Sequence, residues 1–203
     1  MSLIQINQSK KGHDVKDKPS RINFKINKEI NTTIWLIDPT YTQQQISSES
    51  MPSAIGCIAT FTEENLNLKE PIRLFKYPEN FAEELKNKIP DIIGFSNYMW
   101  NSELSLALAR RIKKIKPEVI TIMGGPNYPV TQDEQEVFLR DHPEIDFYII
   151  GEGEVAFANL VTALINADLK KNNLEGEFPS VHFIMSDNKP HITTTIERIN
   201  DLS

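Results

Sequence analysis

The sequence predicts a doubly wound α/β domain built on a parallel five-stranded sheet, followed by a β-hairpin. Three observations carry that expectation. Short apolar runs alternate with helix-period segments five times between about residues 31 and 168. The runs are continuously apolar instead of alternating, the pattern of strands buried on both faces. Several of them stop abruptly at Pro, which cannot donate to a strand ladder, or at Gly, which terminates a strand cheaply.

The elements follow in order. Ile34, Trp35, Leu36 and Ile37 form the first run, ended by Asp38 and Pro39. Over residues 51–66, Met51, Ile55, Ile58 and Phe61 or Thr62 recur at helical spacing, with Pro52 near the start. Cys57 falls beside that stripe and reads as a packed core thiol. Residues 72–75 form a second strand, and Pro78 opens a short helix that sets Phe81 and Leu85 on one face. Residues 91–96 make a third strand. In the helix after it, Leu104, Leu108, Ile112 and Ile115 mark an inner stripe, and Lys/Arg in the C-terminal half complement the helix dipole. Residues 119–123 make a fourth strand, cut off by Gly124, Gly125 and Pro126. Thr131 and Glu134 have the spacing of a capping box for the next helix. Residues 146–150 make a fifth strand, stopped by Gly151. Phe157, Leu160, Val161 and Leu164 lie on one face of the helix that follows. Residues 181–185 and 191–195 flank a Ser-Asp-Asn-Lys turn and read as a hairpin.

Composition narrows the function classes. The chain has 203 residues, a net charge of −6 and one cysteine. One cysteine excludes an internal disulfide framework and any Cys-rich zinc or iron–sulfur site held by this chain alone. No apolar run is long enough for a membrane span and no apolar leader opens the chain, so the expectation is no membrane and a cytoplasmic, reducing compartment. The acidic total argues against nucleic acid. Charge is uneven: residues 1–30 hold seven of the 22 Lys/Arg and three of the 28 Asp/Glu, a net of +4. This segment reads as a flexible basic arm, with the α/β domain over 31–168 and the hairpin and a linker over 169–203.

In doubly wound sheets, ligands sit outside the carboxyl ends of the strands, where the strand order reverses. The loops at that edge are therefore the ones that matter. They contain Pro39, Thr40 and Tyr41; Ser96, Asn97 and Tyr98; Gly124, Gly125, Pro126 and Asn127; and Gly151, Glu152, Gly153 and Glu154. They hold glycines, hydroxyls, amides and aromatics but no Lys or Arg, and neither a dinucleotide fingerprint nor a P-loop is present. That suits a large, amide-bearing, weakly charged ligand. His13, His142, His182 and His191 lie outside these loops, so no metal site is expected, and no nucleophile–base set is visible. Gln43, Gln44 and Gln45 replace the hydroxyls that a flavin phosphate loop would need.

Residues 51–59 (Met-Pro-Ser-Ala-Ile-Gly-Cys-Ile-Ala), 90–96 (Pro-Asp-Ile-Ile-Gly-Phe-Ser), 122–126 (Ile-Met-Gly-Gly-Pro) and 151–154 (Gly-Glu-Gly-Glu) carry a resemblance. The last two, one strand and one helix apart, are the most specific. The chain resembles the N-terminal cobalamin-binding domain of B12-dependent radical S-adenosylmethionine proteins. That group includes methyltransferases and the anaerobic magnesium-protoporphyrin monomethyl ester cyclase. The likeness covers about Ile34 to Leu164 and implies a flavodoxin-like fold with cobalamin as cofactor. It makes the fourteen loop residues named above, from Pro39 to Glu154, the expected cofactor-binding residues. The wider family places Asp-x-His-x-x-Gly after the first strand. Here Asp38 keeps the Asp, while Thr40 takes the His place and Gln43 the Gly place. Cobalt without a lower histidine from Thr40 is what this implies, as is usual in the radical group. The nucleotide tail is implied to run beside Ser96 and the Gly124–Gly125 edge, where a side chain would block it.

The resemblance further implies a partner: a radical S-adenosylmethionine barrel of the same parent chain, carrying the iron–sulfur cluster. Residues 196–202 resemble the lead into that barrel, so the expectation is a piece of a larger methyltransferase or cyclase with no catalytic residue of its own. The alternative is a degenerate domain without cofactor that acts as a docking module, with Tyr41, Tyr98, Trp100 and Tyr128 as interface residues. A self-sufficient small enzyme is the third reading, and nothing in the residues supports it.

Overall fold

The computed structural model describes residues 29–42 and 51–193. The arm expected over 1–30 lies outside the described residues except for Glu29 and Ile30. So do the Gln-rich stretch, His13 and residues 194–203.

Five strands and five helices alternate as β1 (Ile34–Ile37), α1 (Ser53–Asn65), β2 (Arg73–Phe75), α2 (Pro78–Asn87), β3 (Ile92–Ser96), α3 (Ser102–Ile115), β4 (Ile120–Gly124), α4 (Gln132–Asp141), β5 (Phe147–Ile149) and α5 (Gly153–Asn166). The hairpin β6 (Val181–Ile184) and β7 (Pro190–His191) follows. The sheet order is β2-β1-β3-β4-β5-β6-β7. The first five strands are parallel, and β6 and β7 add antiparallel. The parallel core is the expected one, and the hairpin extends the same sheet beyond β5. The order reverses between β1 and β3, the switch point of a flavodoxin-like sheet.

Strand residues alternate between two apolar layers, because successive side chains of a strand point to opposite faces. Ile34, Leu36, Ile92, Ile122, Phe147 and Ile149 pack with α1 and α5. Trp35, Ile37, Ile93, Phe95, Met123 and Tyr148 pack with α2, α3 and α4 through Phe81, Leu106, Ala109, Ile112 and Leu139. Ile30 is 2% exposed and bridges Leu68, so the first described residues already belong to the core. Helix α5 is buried almost all round, as its mostly apolar composition requires.

Three expectations are corrected. Cys57 is exposed, because two helical positions from buried Ile55 it faces the opposite side of α1. Met51 precedes α1 and is 87% exposed. The inner stripe of α3 is Ser105, Leu106, Ala109 and Ile112, whereas Ile115 is exposed. Small Ser105 and Ala109 let the helix approach the sheet, and the Ser105 hydroxyl donates to the Ser96 carbonyl at 2.8 Å. The capping box forms with a variation: the Thr131 hydroxyl donates to the Glu134 carboxylate at 2.7 Å and accepts from the Glu134 N–H at 3.4 Å.

Candidate functional site

The carboxyl edge of the sheet is knitted by a polar network between the β1, β3 and β4 ends. The Ser96 hydroxyl donates to Asp38 Oδ1 at 2.5 Å. Asn101 Nδ2 donates to Asp38 Oδ1 and to Ser96 Oγ, each at 2.9 Å. Asn101 Oδ1 accepts the Tyr98 N–H at 2.9 Å, which closes the loop after β3. Asn97 is fully buried and faces the β4–α4 loop. Its Nδ2 donates to the Asn127 carbonyl at 2.6 Å and to the Tyr148 hydroxyl at 3.0 Å, while its backbone N–H donates to the Gly124 carbonyl at 2.7 Å. The Tyr148 hydroxyl donates in turn to the Gly125 carbonyl at 2.8 Å. Tyr128 stacks on Tyr148 with centroids 3.7 Å apart. Burial raises the pKa of both phenols, and that of Tyr98, where the Asp38 charge adds to it.

Beside this network a crevice of about 400 Å³ opens on the α1/α5 side of the sheet. That volume is within the range of small-molecule sites. Its lining comes from the ends of β1, β3, β4 and β5 and from the first turns of α1 and α5. Ser96, Tyr98, Gly124, Gly125, Pro126, Gly151, Glu152, Gly153 and Glu154, all expected from the sequence, line it. Pro39, Thr40, Tyr41, Asn97 and Asn127 do not. Asp38 and Thr40 continue the pairing of β1 with β2 through bonds to the Phe75 and Lys76 carbonyls, on the far side of the edge. The lining that sequence reasoning missed is apolar: Leu36, Ala54, Ile55, Ile58, Ile122, Ile149 and Phe157, together with Gly94. The available signal was Gly94 itself, a lone glycine in a strand of large apolar residues, which marks close approach of a ligand or another backbone.

The glycines act differently from one another. A Cβ at Gly94 would lie 2.5 Å from Leu36 Cδ2 and 3.6 Å from the Phe157 ring, so its absence makes room for the Leu36 side chain on the α1/α5 face. A Cβ at Gly125 would lie 2.4 Å from the Asn97 carbonyl oxygen, and its φ of +134° suits glycine alone. Gly125 is therefore demanded by the packing of two loops. Gly124 has ordinary backbone, and a Cβ there would touch only Ile149, at 3.4 Å and beyond. The lining holds no Lys, Arg or His. The first turns of α1 and α5 present backbone N–H groups without a side-chain N-cap bond, and the carboxylates of Glu152 and Glu154 stand beside the α5 turn.

Comparison with known proteins agrees with this architecture. The family model described as the B12 binding domain matches residues 50–161. The cobalamin-dependent radical SAM methyltransferase TokK of Streptomyces tokunonensis is 29% identical over 122 residues, 57% of this chain and 17% of that protein. The anaerobic magnesium-protoporphyrin IX monomethyl ester cyclase of Rubrivivax gelatinosus is 30% identical over 93 residues, 42% of this chain and 15% of the cyclase. The chain thus spans less than a fifth of the curated relatives it matches. In fold it is similar to the cobalamin-dependent S-adenosylmethionine radical enzyme OxsB, in a structure with aqua-cobalamin and S-adenosylmethionine bound. The TM-score is 0.61 at 16% identity, over 84% of this chain and 23% of OxsB. No helix among the described residues is long and apolar enough to cross a membrane. The match over more than half of its length shows that this chain belongs to the B12-binding domain family.

Proposed function

We propose that this chain holds cobalamin for a radical S-adenosylmethionine enzyme of which it is one part. The observation that carries this is the glycine-lined crevice at the carboxyl edge of the sheet, between the first turns of α1 and α5. The residues fit the group. The bare backbone at Gly124 leaves a slot against the sheet, apolar side chains line its depth, and the backbone N–H groups of the α1 first turn, on the side away from Glu152 and Glu154, suit a single phosphodiester. Ser96, Tyr98, Gly124, Pro126 and Gly151 to Glu154 would hold the nucleotide tail, with Asp38 and Asn101 positioning Ser96. When bound, cobalamin supplies transfer of a one-carbon group through its cobalt, or one-electron chemistry; this chain supplies orientation and exclusion of water. With Thr40 half-buried in the place of the family's histidine and no His on the lining, the chain gives the cobalt no imidazole from this edge.

In this reading residues 31–168 are the cofactor domain, and 169–203 lead toward an iron–sulfur barrel in the same parent chain, in a cytoplasmic, reducing compartment. The basic stretch over 1–30 is an appended arm that joins the core at its last residue, Ile30. The barrel carries the cluster and S-adenosylmethionine, and methyl transfer or cyclisation is decided there. A second reading, a docking module without cofactor, is favoured by one observation. Tyr98 and Trp100 stack at 4.6 Å, and Trp100, Met99 and Val130 are 65%, 85% and 91% exposed at the same edge.

Hydroxocobalamin retention separates the two. The chain is mixed with the corrinoid, desalted, and its visible spectrum recorded. Retained corrinoid absorbance is expected, and clean loss at micromolar protein overturns the cofactor reading for this chain. Gly124→Leu adds a side chain to the slot where the backbone tolerates one. It is expected to keep the native circular dichroism and lower retention by about tenfold or more. Normal retention would show that the tail lies elsewhere.

A further inference from the structure

The crevice is chemically uneven, and the inference drawn from this rests on the cobalamin reading. Its depth is hydrocarbon: Leu36, Ile55, Ile122, Ile149 and Phe157 are each at most 5% exposed, around the bare backbone of Gly94. The buried side-chain oxygen on the lining, Ser96 Oγ, is engaged as donor to Asp38 and as acceptor from Asn101. The polar side chains that remain, those of Tyr98, Glu152 and Glu154, belong to half-buried or exposed residues at the mouth. In the depth, Leu36, Gly94 and Ile122 are in register across β1, β3 and β4, so their backbone groups are committed to the ladder.

We propose that the buried end of this crevice selects corrinoids by their lower base, accepting an apolar benzimidazole and rejecting an adenine. Apart from the one acceptor ring nitrogen that both bases keep, a dimethylbenzimidazole presents C–H edges and methyl groups to such a lining. An adenine presents an exocyclic amine and additional ring nitrogens, which are hydrated in water. Buried against Leu36, Ile122, Ile149 and Phe157, these groups lose their water and gain no partner. An unpaired buried polar group weakens binding by about tenfold or more. Discrimination of this kind arises in the depth of the site and is independent of the reaction performed on the corrin above it.

The test titrates the 203-residue chain with three probes: hydroxocobalamin, its analogue with adenine as lower base, and cobinamide, which has no base. Retained corrinoid is read by absorbance. Hydroxocobalamin is expected to bind tightest, with the adenine analogue about tenfold or more weaker and close to cobinamide. Ile58→Gln places an amide on the half-buried α1 side of the lining, where a helix accepts glutamine. It is expected to narrow the gap between the two bases to about threefold, with melting by circular dichroism confirming the fold. Binding of the two base-bearing corrinoids within about twofold overturns the selectivity and leaves the cobalamin reading standing. Cobinamide binding as tightly as hydroxocobalamin also overturns it, because the base then has no seat. Loss of all three probes overturns the cobalamin reading and this inference together.

Discussion

Gly124 and Gly125 stand side by side for different physical reasons. Gly125 sits at φ +134°, and any Cβ would strike the Asn97 carbonyl. Gly125→Ala is therefore expected to lower stability by about 1–3 kcal/mol from the backbone alone, with the clash adding to it. Urea denaturation measures this, and an unchanged midpoint would show that the loop takes another conformation in solution. Gly56 supplies the contrast at the same scale. It lies inside α1 with nothing within 4 Å of a Cβ, so Gly56→Ala should raise stability by up to about 1 kcal/mol. The pair of substitutions separates a glycine that the fold demands from one that it merely tolerates.

At the scale of elements, the central strands were legible because burial on both faces removes most polar residues from them, and the start of α4 because Thr131 and Glu134 leave a chemical signature. Helix faces were less so. Cys57 stands next to apolar residues in sequence, yet each residue turns a helix by about 100°, which puts it opposite Ile55. In α3, leucines at 104 and 108 compete with Ser105 and Ala109 for the sheet. The smaller residues win because they allow closer approach, and Ser105 gains a bond to the Ser96 carbonyl. The loops of the candidate site were legible from topology, while its apolar depth was not. That depth comes from side chains on five different elements, and only Gly94 hints at the vacancy. The exposure of Cys57 has a direct consequence: the thiol should react with a disulfide reagent in the native state, one equivalent per chain, at a rate close to that in urea. Strong protection in the native state would put Cys57 back in the core.

Across the whole molecule, one aromatic column ties the hairpin to the site. Tyr128 stacks on Tyr148, and His182 of β6 lies against Tyr128 with Nδ1 3.4 Å from its hydroxyl. His182 Nε2 is 3.0 Å from the Thr193 carbonyl, so the same ring fixes the chain as it leaves β7. His182 is fully buried. Burial lowers its pKa, with the neighbouring His191 acting in the same direction and the bond to Thr193 opposing it. The unfolded chain therefore binds a proton at His182 more readily than the native one. Its contribution to stability is complete above the unfolded value of about 6.5 and falls as pH drops from there toward the lower native value. The slope from this single group is at most about 1.4 kcal/mol per pH unit. Urea denaturation between pH 7.5 and pH 5, values spanning the ordinary histidine pKa by roughly one unit or more, should show stability declining on the acid side. In His182→Gln that decline should flatten, because the titrating group is gone while an amide remains to bond Thr193. A decline of equal slope in the variant would assign the effect to other groups. It would also leave His182 as a packing residue between the hairpin and the loop that follows β4.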